Sequence, residues 1–337
     1  MLSLVDLAVD QSTIFLIKFP MFIASFPFSY AIKFASHHDK TSLSALSLFT
    51  GMSDQRSLPI NKGNHMNKVI LITGASSGIG KETAIRLVKQ GFTVYGAARR
   101  TDRMEDIRTI GVHVLAMDVT NDASMVEGVQ KILDTEKRID VLINNAGYGS
   151  FGAVEDVPLE EARYQFEVNL FGLARLTQLV LPAMRAQQSG CIINLSSVAG
   201  IISQPHGAWY HATKFAVEGW SDCLRMELKQ FGIHVVLIEP GAIQSEWNNI
   251  ARDNLIKRSG NTVYKGLATK HATMLKKADE LISSEPVVIA KTIEKAILAR
   301  KPKIRYAAGK GASFMIWMRK HLPDRLFDNI MLKLLNI

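Results

Sequence analysis

From residue 68 onward, short apolar runs alternate with longer amphipathic segments. The apolar runs lie at 69–73, 93–98, 112–117, 140–144, 191–196, 233–239 and 304–307. They are continuous rather than alternating, which is typical of strands buried on both faces of a sheet. The segments with helical periodicity lie at about 79–90, 122–137, 159–186, 208–231 and 286–300. This succession predicts an α/β fold, in which a doubly wound parallel sheet of about seven strands has helices on both faces and forms a single domain over 66–337.

Residues 1–65 differ in character from the rest of the chain. Their longest uncharged run has 14 residues, fewer than the roughly 18–20 that span a bilayer. Asp6 and Asp10 precede this run and no small-residue cleavage site follows it, which does not fit a secretory signal. We predict a disordered leader, or one that is absent from the protein because translation starts at Met66. A membrane anchor is the alternative.

The composition fits a globular protein with a sizeable core, since 47% of the residues are hydrophobic and 21% are charged. The two cysteines, Cys191 and Cys223, have no CxxC spacing and no histidine cluster nearby. We expect both to be reduced core thiols in a cytoplasmic protein, and we expect no metal site.

The first predicted strand runs into a glycine-rich turn, TGASSGIG at residues 73–80, and a helix follows at once. Glycines at such a turn let the chain reverse tightly and let a pyrophosphate approach the backbone at the positive end of the helix. The spacing is GxxxGxG rather than the commoner GxGxxG. Because such a turn can also be purely structural, it indicates a dinucleotide site only together with other motifs.

The second predicted strand ends in two arginines, Arg99 and Arg100. At this position a carboxylate would bind the ribose 2′-hydroxyl of NAD, whereas an arginine favours the 2′-phosphate of NADP. No carboxylate is present, so the sequence predicts NADP(H), bound through Arg99. The alternative is that both arginines are ordinary surface residues.

Tyr210 and Lys214 lie four residues apart on a predicted helix, which puts the phenol and the ammonium on one face. A free tyrosine has a pKa near ~10, too high for efficient proton transfer at neutral pH. A nearby ammonium and a positively charged nicotinamide ring would lower the pKa of the phenol. This spacing occurs by chance in many chains, but Ser197 lies thirteen residues before Tyr210, at the end of a strand. The order of these motifs predicts acid–base chemistry at Tyr210.

The motifs TGASSGIG, NNAG, SS…YHATK and Pro240-Gly241 follow one another in a characteristic order. In this order they resemble the short-chain dehydrogenases/reductases of single-domain length, and the resemblance covers about residues 68–310. It implies a Rossmann fold and an enzyme that transfers a hydride between a nicotinamide and a carbonyl or alcohol carbon.

The resemblance also implies a catalytic tetrad of Asn169, Ser197, Tyr210 and Lys214. Tyr210 would give a proton to the carbonyl oxygen or take one from the alcohol, and Ser197 would orient that oxygen. Lys214 would lower the pKa of the tyrosine and bind the nicotinamide ribose. Asn169 would hold a water in the proton path.

Further residues match the cofactor contacts of the family. Besides Arg99, Tyr210 and Lys214, they are Gly74, Ser76, Gly78, Ile79, Gly80, Asp118, Asn145, Ile243 and Ser245. The turn at 74–80 would hold the phosphates, and Asp118 and Asn145 the adenosine side. Ile243 and Ser245 would contact the nicotinamide amide. Ser245 replaces a frequent threonine and keeps its hydroxyl.

Three stretches, VYGAARR at 94–100, NAGYG at 145–149 and KPKIRY at 301–306, resemble the branch of 17β-hydroxysteroid and retinol dehydrogenases and acyl-dihydroxyacetone-phosphate reductase. That likeness implies a lipophilic substrate. Residues 246–285 are the predicted substrate lid, and we expect His206 to be a surface histidine.

Two other functions stay in view. A nucleotide-sugar epimerase or dehydratase is disfavoured by the GxxxGxG spacing and by the lack of a larger second domain. A non-catalytic NADP(H) sensor should have lost the tyrosine or the lysine, and this chain keeps both. A homo-oligomer is a further expectation.

The net charge of +9 is concentrated at the end of the chain, where residues 300–337 carry nine Lys/Arg and two Asp/Glu. No nucleic-acid reading motif accompanies these charges, so we predict no nucleic-acid partner. The basic amphipathic segment 308–337 has two interpretations. It lies on an anionic membrane surface as a peripheral contact, or it is a terminal helix whose apolar face covers the substrate pocket while its lysines are solvated.

Overall fold

The computed structural model describes residues 68–335, and a single β-sheet runs through that part of the chain. Its strands are β1 (Val69–Thr73), β2 (Thr93–Ala98), β3 (His113–Ala116), β4 (Val141–Asn144), β5 (Gly190–Leu195), β6 (Ile233–Pro240) and β7 (Arg305–Ala308). All neighbours pair in parallel, in the order β3-β2-β1-β4-β5-β6-β7. The predicted seven-stranded parallel sheet is therefore confirmed.

Helices connect the strands and cover both faces of the sheet. They are α1 (Gly78–Lys89), α2 (Glu105–Thr109), α3 (Asp122–Glu136), α4 (Leu159–Phe166), α5 (Gly172–Ala186), α6 (Ala208–Leu228), α7 (Glu246–Ser259), α8 (Lys265–Leu281), α9 (Pro286–Leu298), α10 (Ala312–His321) and α11 (Asp324–Leu334). Among the described residues, none of them has both the length and the apolar character needed to cross a membrane.

The continuous apolar strands are explained by a hydrophobic cluster on each face of the sheet. In β1, Ile70 and Ile72 belong to a cluster with residues of α1 and α9. Val69 and Leu71 point the other way, into a cluster with residues of α3, α5 and α6. Because successive side chains of a strand alternate between the faces, both sets of positions must be apolar.

The winding of the sheet reverses between β1 and β4, which are neighbours although β2 and β3 lie between them in the sequence. In open parallel sheets, the carboxyl ends of the strands at such a reversal leave a crevice where ligands bind. The fold thus places the candidate site at the ends of β1, β4 and β5.

The single helix predicted over 159–186 is interrupted. Between α4 and α5, residues Glu167–Phe171 form a π-helical turn, and Asn169 lies within it. Such turns are rare and occur frequently at functional sites. Gly172, the first residue of α5, packs against the segment that connects β3 to α3. A Cβ on Gly172 would lie 2.3 Å from the Val119 carbonyl oxygen.

The segment 246–285 and the end of the chain contain helices that the periodicity did not predict. α7 and α8 pack against Phe151, which lies in the connection between β4 and α4. Residues of α10 and α11 pack with Val198 and Ile202, just beyond β5, so the terminal segment holds two helices that cover the chain beside Ser197. The predictions for residues 1–65 lie outside the described residues.

Candidate active site

The predicted site residues follow the carboxyl ends of six strands. After β1 come Gly74, Ser76, Gly78, Ile79 and Gly80; after β2, Arg99; after β3, Asp118; after β4, Asn145 and Asn169; after β5, Ser197, Tyr210 and Lys214; and after β6, Ile243 and Ser245. The parallel topology brings these turns to one edge of the sheet.

The glycine-rich turn divides into packing positions and an open position. A Cβ on Gly80 would lie 2.3 Å from the Gly74 carbonyl oxygen and 2.5 Å from Nδ2 of Asn145, so this glycine lets the helix approach the turn. Gly78 has a φ of +53°, and a Cβ there would find only Cβ of Ser245, at 3.8 Å. The backbone at Gly78 therefore borders open space.

The open space at Gly78 adjoins the start of α1. Ser77 is the N-cap residue of this helix and its side chain makes no capping hydrogen bond. The first N–H groups of a helix lack partners within the helix, and they carry the positive end of its dipole. Free N–H groups at a helix start beside a glycine without a side chain suit an anion, and the residues present therefore fit the pyrophosphate of a dinucleotide.

Asn145 connects the end of β4 to the glycine-rich turn through hydrogen bonds. Its backbone N–H donates to Oγ1 of Thr73 at 3.1 Å, and its Nδ2 donates to the Thr73 carbonyl at 2.8 Å. Asp118 is engaged in its own turn, where Oδ1 accepts bonds from Thr120 N at 2.9 Å and Oγ1 at 2.8 Å. Both residues fix the shape of the crevice in this structure.

Arginines line the far end of the crevice, beyond β2. Arg99 is exposed and donates from Nη1 to the Tyr164 hydroxyl of α4 at 3.1 Å. Arg100 and Arg103 turn towards Glu246, the first residue of α7. The sequence predicts a role for Arg99 and Arg100 at the end of β2. It gives no signal for Arg103 or Glu246, because neither belongs to a local motif.

The Tyr210 side chain is partly buried against the apolar cluster that contains Phe151. Burial raises the pKa of Tyr210 to about 12, and a hydrogen bond with Ser197 opposes this increase. Ser197 is the N-cap of the short turn after β5, where its Oγ accepts the N–H of Ala199 at 3.1 Å. The serine is thus held by the backbone while it contacts the phenol.

Lys214 is 7% exposed and donates from Nζ to the Leu195 carbonyl at 2.7 Å. Burial lowers the pKa of Lys214 to about 8, and the Glu218 carboxylate opposes this decrease. Its Nζ lies 5.9 Å from the centroid of the Tyr210 ring. In this structure the hydrogen bond with Ser197 is the contribution that lowers the pKa of Tyr210, and desolvation of the phenol outweighs it.

Asn169 joins this group through the π-helical turn. Its Oδ1 accepts the N–H of Tyr148 at 3.0 Å, and its Nδ2 donates to Oγ1 of Thr213 at 3.1 Å. A Cβ on Gly147 would lie 3.1 Å from Asn169 Oδ1 and 3.9 Å from Lys214 Nζ, so both side chains border the same glycine.

Ile243 and Ser245 begin the connection from β6 to α7. Ile243 is buried in the core cluster beside α9, so only its backbone is available to a ligand. Ser245 is the N-cap residue of α7, makes no side-chain capping bond, and faces Gly78 across the crevice.

Aromatic side chains cover Tyr210 on the side away from the sheet. The rings of Trp247 and Phe151 lie 4.9 Å and 6.1 Å from the Tyr210 ring. Together with Ala251, Leu255 and Ala268 they form an apolar cluster. Neither aromatic residue stands in a recognisable motif, and both were missed in the sequence.

Two predictions about single residues were wrong. His206 is buried, and its Nδ1 lies 3.0 Å from Nδ1 of His271 on α8. α8 covers this histidine, and the periodicity did not predict α8. Cys223 is exposed on α6 rather than in the core, while Cys191 is partly buried, and both are free thiols.

Together the fold and the site define an oxidoreductase of the dinucleotide-binding α/β class, in which a partly buried tyrosine and a buried lysine lie at the same edge of the sheet as the glycine-rich turn. Comparison with known proteins gives the family. Residues 68–255 match the family model for short-chain dehydrogenases. The chain belongs to the short-chain dehydrogenase/reductase family and is an enzyme that transfers a hydride to or from a carbonyl or alcohol carbon.

Similar proteins include a 3-ketodihydrosphingosine reductase of Bacteroides thetaiotaomicron, 37% identical over 264 residues, which are 77% of this chain and 95% of that protein. An NADPH-dependent 3-dehydrocapnine reductase of Ornithobacterium rhinotracheale is 34% identical over 284 residues, 78% of this chain and 95% of that protein. Among solved structures, a short-chain dehydrogenase from Streptomyces avermitilis is 31% identical with a TM-score of 0.63, covering 80% of this chain and 95% of that one.

Proposed function

We propose that this protein is an NADP(H)-dependent oxidoreductase that transfers a hydride between the nicotinamide and a carbonyl or alcohol group of a lipophilic substrate, with Tyr210 as the general acid or base. The observation that carries the proposal is the partly buried Tyr210 phenol, which lies beside Lys214 and is hydrogen-bonded to Ser197. A phenol with a cation beside it and an orienting hydroxyl is suited to exchanging a proton with a carbonyl oxygen.

Each residue of the tetrad has a separate role in this proposal. Tyr210 donates its proton to the carbonyl oxygen during reduction and accepts one during oxidation. Ser197, fixed by its bond from the Ala199 N–H, holds the same oxygen in place. Lys214 supplies the positive charge beside the phenol and binds the ribose, and Asn169 keeps the proton path open beside Gly147.

The cofactor, when bound, supplies the hydride chemistry. The glycine turn, the start of α1 and Ser245 would hold its phosphates and nicotinamide end, and Asn145 and Asp118 would shape its adenosine side. Arg99 supports a preference for NADP(H), because a guanidinium next to an aromatic hydroxyl at the end of β2 suits a 2′-phosphate. The relative described as NADPH-dependent agrees with this preference.

A lipophilic substrate is supported by the cover over Tyr210. Phe151, Trp247 and the apolar faces of α7 and α8 meet directly above the phenol, with Leu255 fully buried among them. An apolar chain attached to the carbonyl group would replace water along this surface. The similar 3-ketodihydrosphingosine reductase is named for a long-chain ketone, which supports the same class of substrate.

The test is NADPH oxidation by the purified full-length protein, followed by absorbance, against aldehydes and ketones of increasing chain length. We expect turnover whose kcat/KM rises with chain length. Binding of NADPH with no turnover on any member of the panel would instead favour the non-catalytic sensor.

A further inference from the structure

An ion pair joins the turn after β2 to the first residue of α7. Arg103 donates from Nη1 to Oε2 of Glu246 at 3.1 Å and from Nη2 to Oε1, so both carboxylate oxygens are engaged. Arg100 points at the same carboxylate, with Nη2 at 3.8 Å from Oε2. The Glu246 carboxylate therefore forms ion pairs with two guanidinium groups.

The two ends of this ion pair lie on opposite sides of the phosphate crevice. Arg100 and Arg103 belong to the turn that begins at Arg99, the proposed 2′-phosphate contact. Glu246 directly follows Ser245, whose Cβ would lie 3.8 Å from a Cβ on Gly78 in the glycine-rich turn. The carboxylate thus reaches the arginines from the lid side of the crevice.

The charges in this group are unbalanced and accessible. The side chains of Arg100, Arg103 and Glu246 are 55%, 36% and 50% exposed. The hydrogen bond with Arg103 lowers the pKa of Glu246, so the carboxylate is ionised at neutral pH. An ion pair this exposed is weak, and a phosphate dianion offers two guanidinium groups more charge and more acceptor atoms than one carboxylate does.

We propose that Glu246 is an internal counter-anion, which occupies Arg100 and Arg103 in the free protein and yields them to the 2′-phosphate when NADP(H) binds. This inference rests on the proposed use of NADP(H). Glu246 thereby determines how strongly the protein prefers NADP(H) to NAD(H), because only the phosphorylated cofactor competes for the guanidinium groups.

The exchange also reaches the substrate side of the site. Glu246 opens α7, and the next residue, Trp247, has its ring 4.9 Å from the ring of Tyr210. When the arginines turn to the phosphate, the first turn of α7 loses its tie to the β2 side. The Arg103–Glu246 ion pair thus connects the turn after β2 to the helix that carries Trp247.

The test compares Glu246→Gln with Glu105→Gln in the full-length protein. Glu105 is a matched control, because it is an exposed carboxylate in the same region and pairs with Arg108 at 3.1 Å without crossing the crevice. Dissociation constants for NADPH and NADH are measured by isothermal titration calorimetry. We expect Glu246→Gln to tighten NADPH binding about three- to fivefold and to change NADH binding by less than about 1.5-fold, with no change for Glu105→Gln.

Unchanged or weaker NADPH binding by Glu246→Gln would overturn the counter-anion assignment while the wild-type preference for NADPH stands. An equal gain for NADPH and NADH would also overturn it, since the 2′-phosphate would then play no part. Equal affinity of the wild-type protein for both cofactors is a different result, and it would remove the proposed NADP(H) function together with the inference.

Discussion

The Nζ atom of Lys214 lies 5.9 Å from the centroid of the Tyr210 ring, and the two residues stand one turn apart on α6. Burial acts on both groups in the direction that favours the neutral form: it raises the pKa of Tyr210 to about 12 and lowers the pKa of Lys214 to about 8. Both groups are therefore shifted towards their neutral forms, and the proposed proton exchange near neutral pH requires added positive charge beside the phenol.

The buried ammonium should destabilise the free protein. Folding lowers the pKa of Lys214 from 10.5 to about 8, so between these values the unfolded chain binds more protons than the folded protein. The free energy of unfolding consequently rises with pH across this window, and below pH 8 the cost is present in full. Lys214→Met removes the charge, and we expect it to raise the free energy of unfolding by about 2 kcal/mol at pH 7, after the loss of one hydrogen bond.

Urea unfolding of wild type and Lys214→Met at pH 7 and at pH 10.5 measures this effect. At the higher pH the advantage of Lys214→Met should be lost, and wild type should be slightly the more stable because it keeps the hydrogen bond to Leu195. Lys295→Met, at an exposed position on α9, is the control and should show no such change with pH. If Lys214→Met were less stable than wild type at pH 7, burial of the ammonium would not lower the free energy of unfolding.

Arg99→Ala tests the cofactor preference. The Arg99 guanidinium is exposed beyond the end of β2. Within the described residues, its one hydrogen bond is to the Tyr164 hydroxyl. We expect the dissociation constant for NADPH to rise by about tenfold or more and that for NADH by less than about threefold. Arg163→Ala, at an exposed position on α4, serves as the control. Equal losses for both cofactors would contradict a phosphate contact.

Two glycines of one turn should respond differently to alanine. Gly80→Ala forces a Cβ to within 2.3 Å of a backbone oxygen, so we expect a loss of roughly 2 kcal/mol or more of stability.

In Gly78→Ala the new Cβ makes no close contact, and only the φ of +53° lowers the stability, by about 1–2 kcal/mol. Its new methyl group would lie at the proposed phosphate contact, so NADPH binding should weaken at least about tenfold. Thermal unfolding and NADPH titration separate the two effects, and normal NADPH affinity in Gly78→Ala would remove the phosphate assignment.

The sheet could be predicted from the sequence because its strands are buried on both faces. Ile70 and Ile72 face one helical layer and Val69 and Leu71 the other, which leaves a continuous apolar run as a local signal. α7 gives no such signal. It buries only Ala251, Leu255 and Ser259, and two of these three are small. The apolar stripe is too thin to show helical periodicity among the polar residues around it.

The positions of Ser197, Tyr210 and Lys214, the proposed proton-transfer residues, could be predicted because they stand at fixed distances within one strand–turn–helix unit. Ser197 caps the turn after β5, and Tyr210 and Lys214 share one face of the following helix. The cover was not predictable, since Trp247 reaches Tyr210 from a different connection and its position depends on the tertiary fold. The same holds for Glu246, whose partner Arg103 lies 143 residues away in the sequence.

Tyr210→Phe removes the hydroxyl proposed to carry the proton and keeps the ring against Trp247, so it separates proton transfer from packing. The measurement is kcat for NADPH oxidation at saturating NADPH and carbonyl substrate, together with the dissociation constant for NADPH. We predict that kcat falls by at least about a thousandfold while NADPH affinity changes by less than about twofold. A Tyr210→Phe protein that keeps a substantial fraction of wild-type kcat would contradict the account.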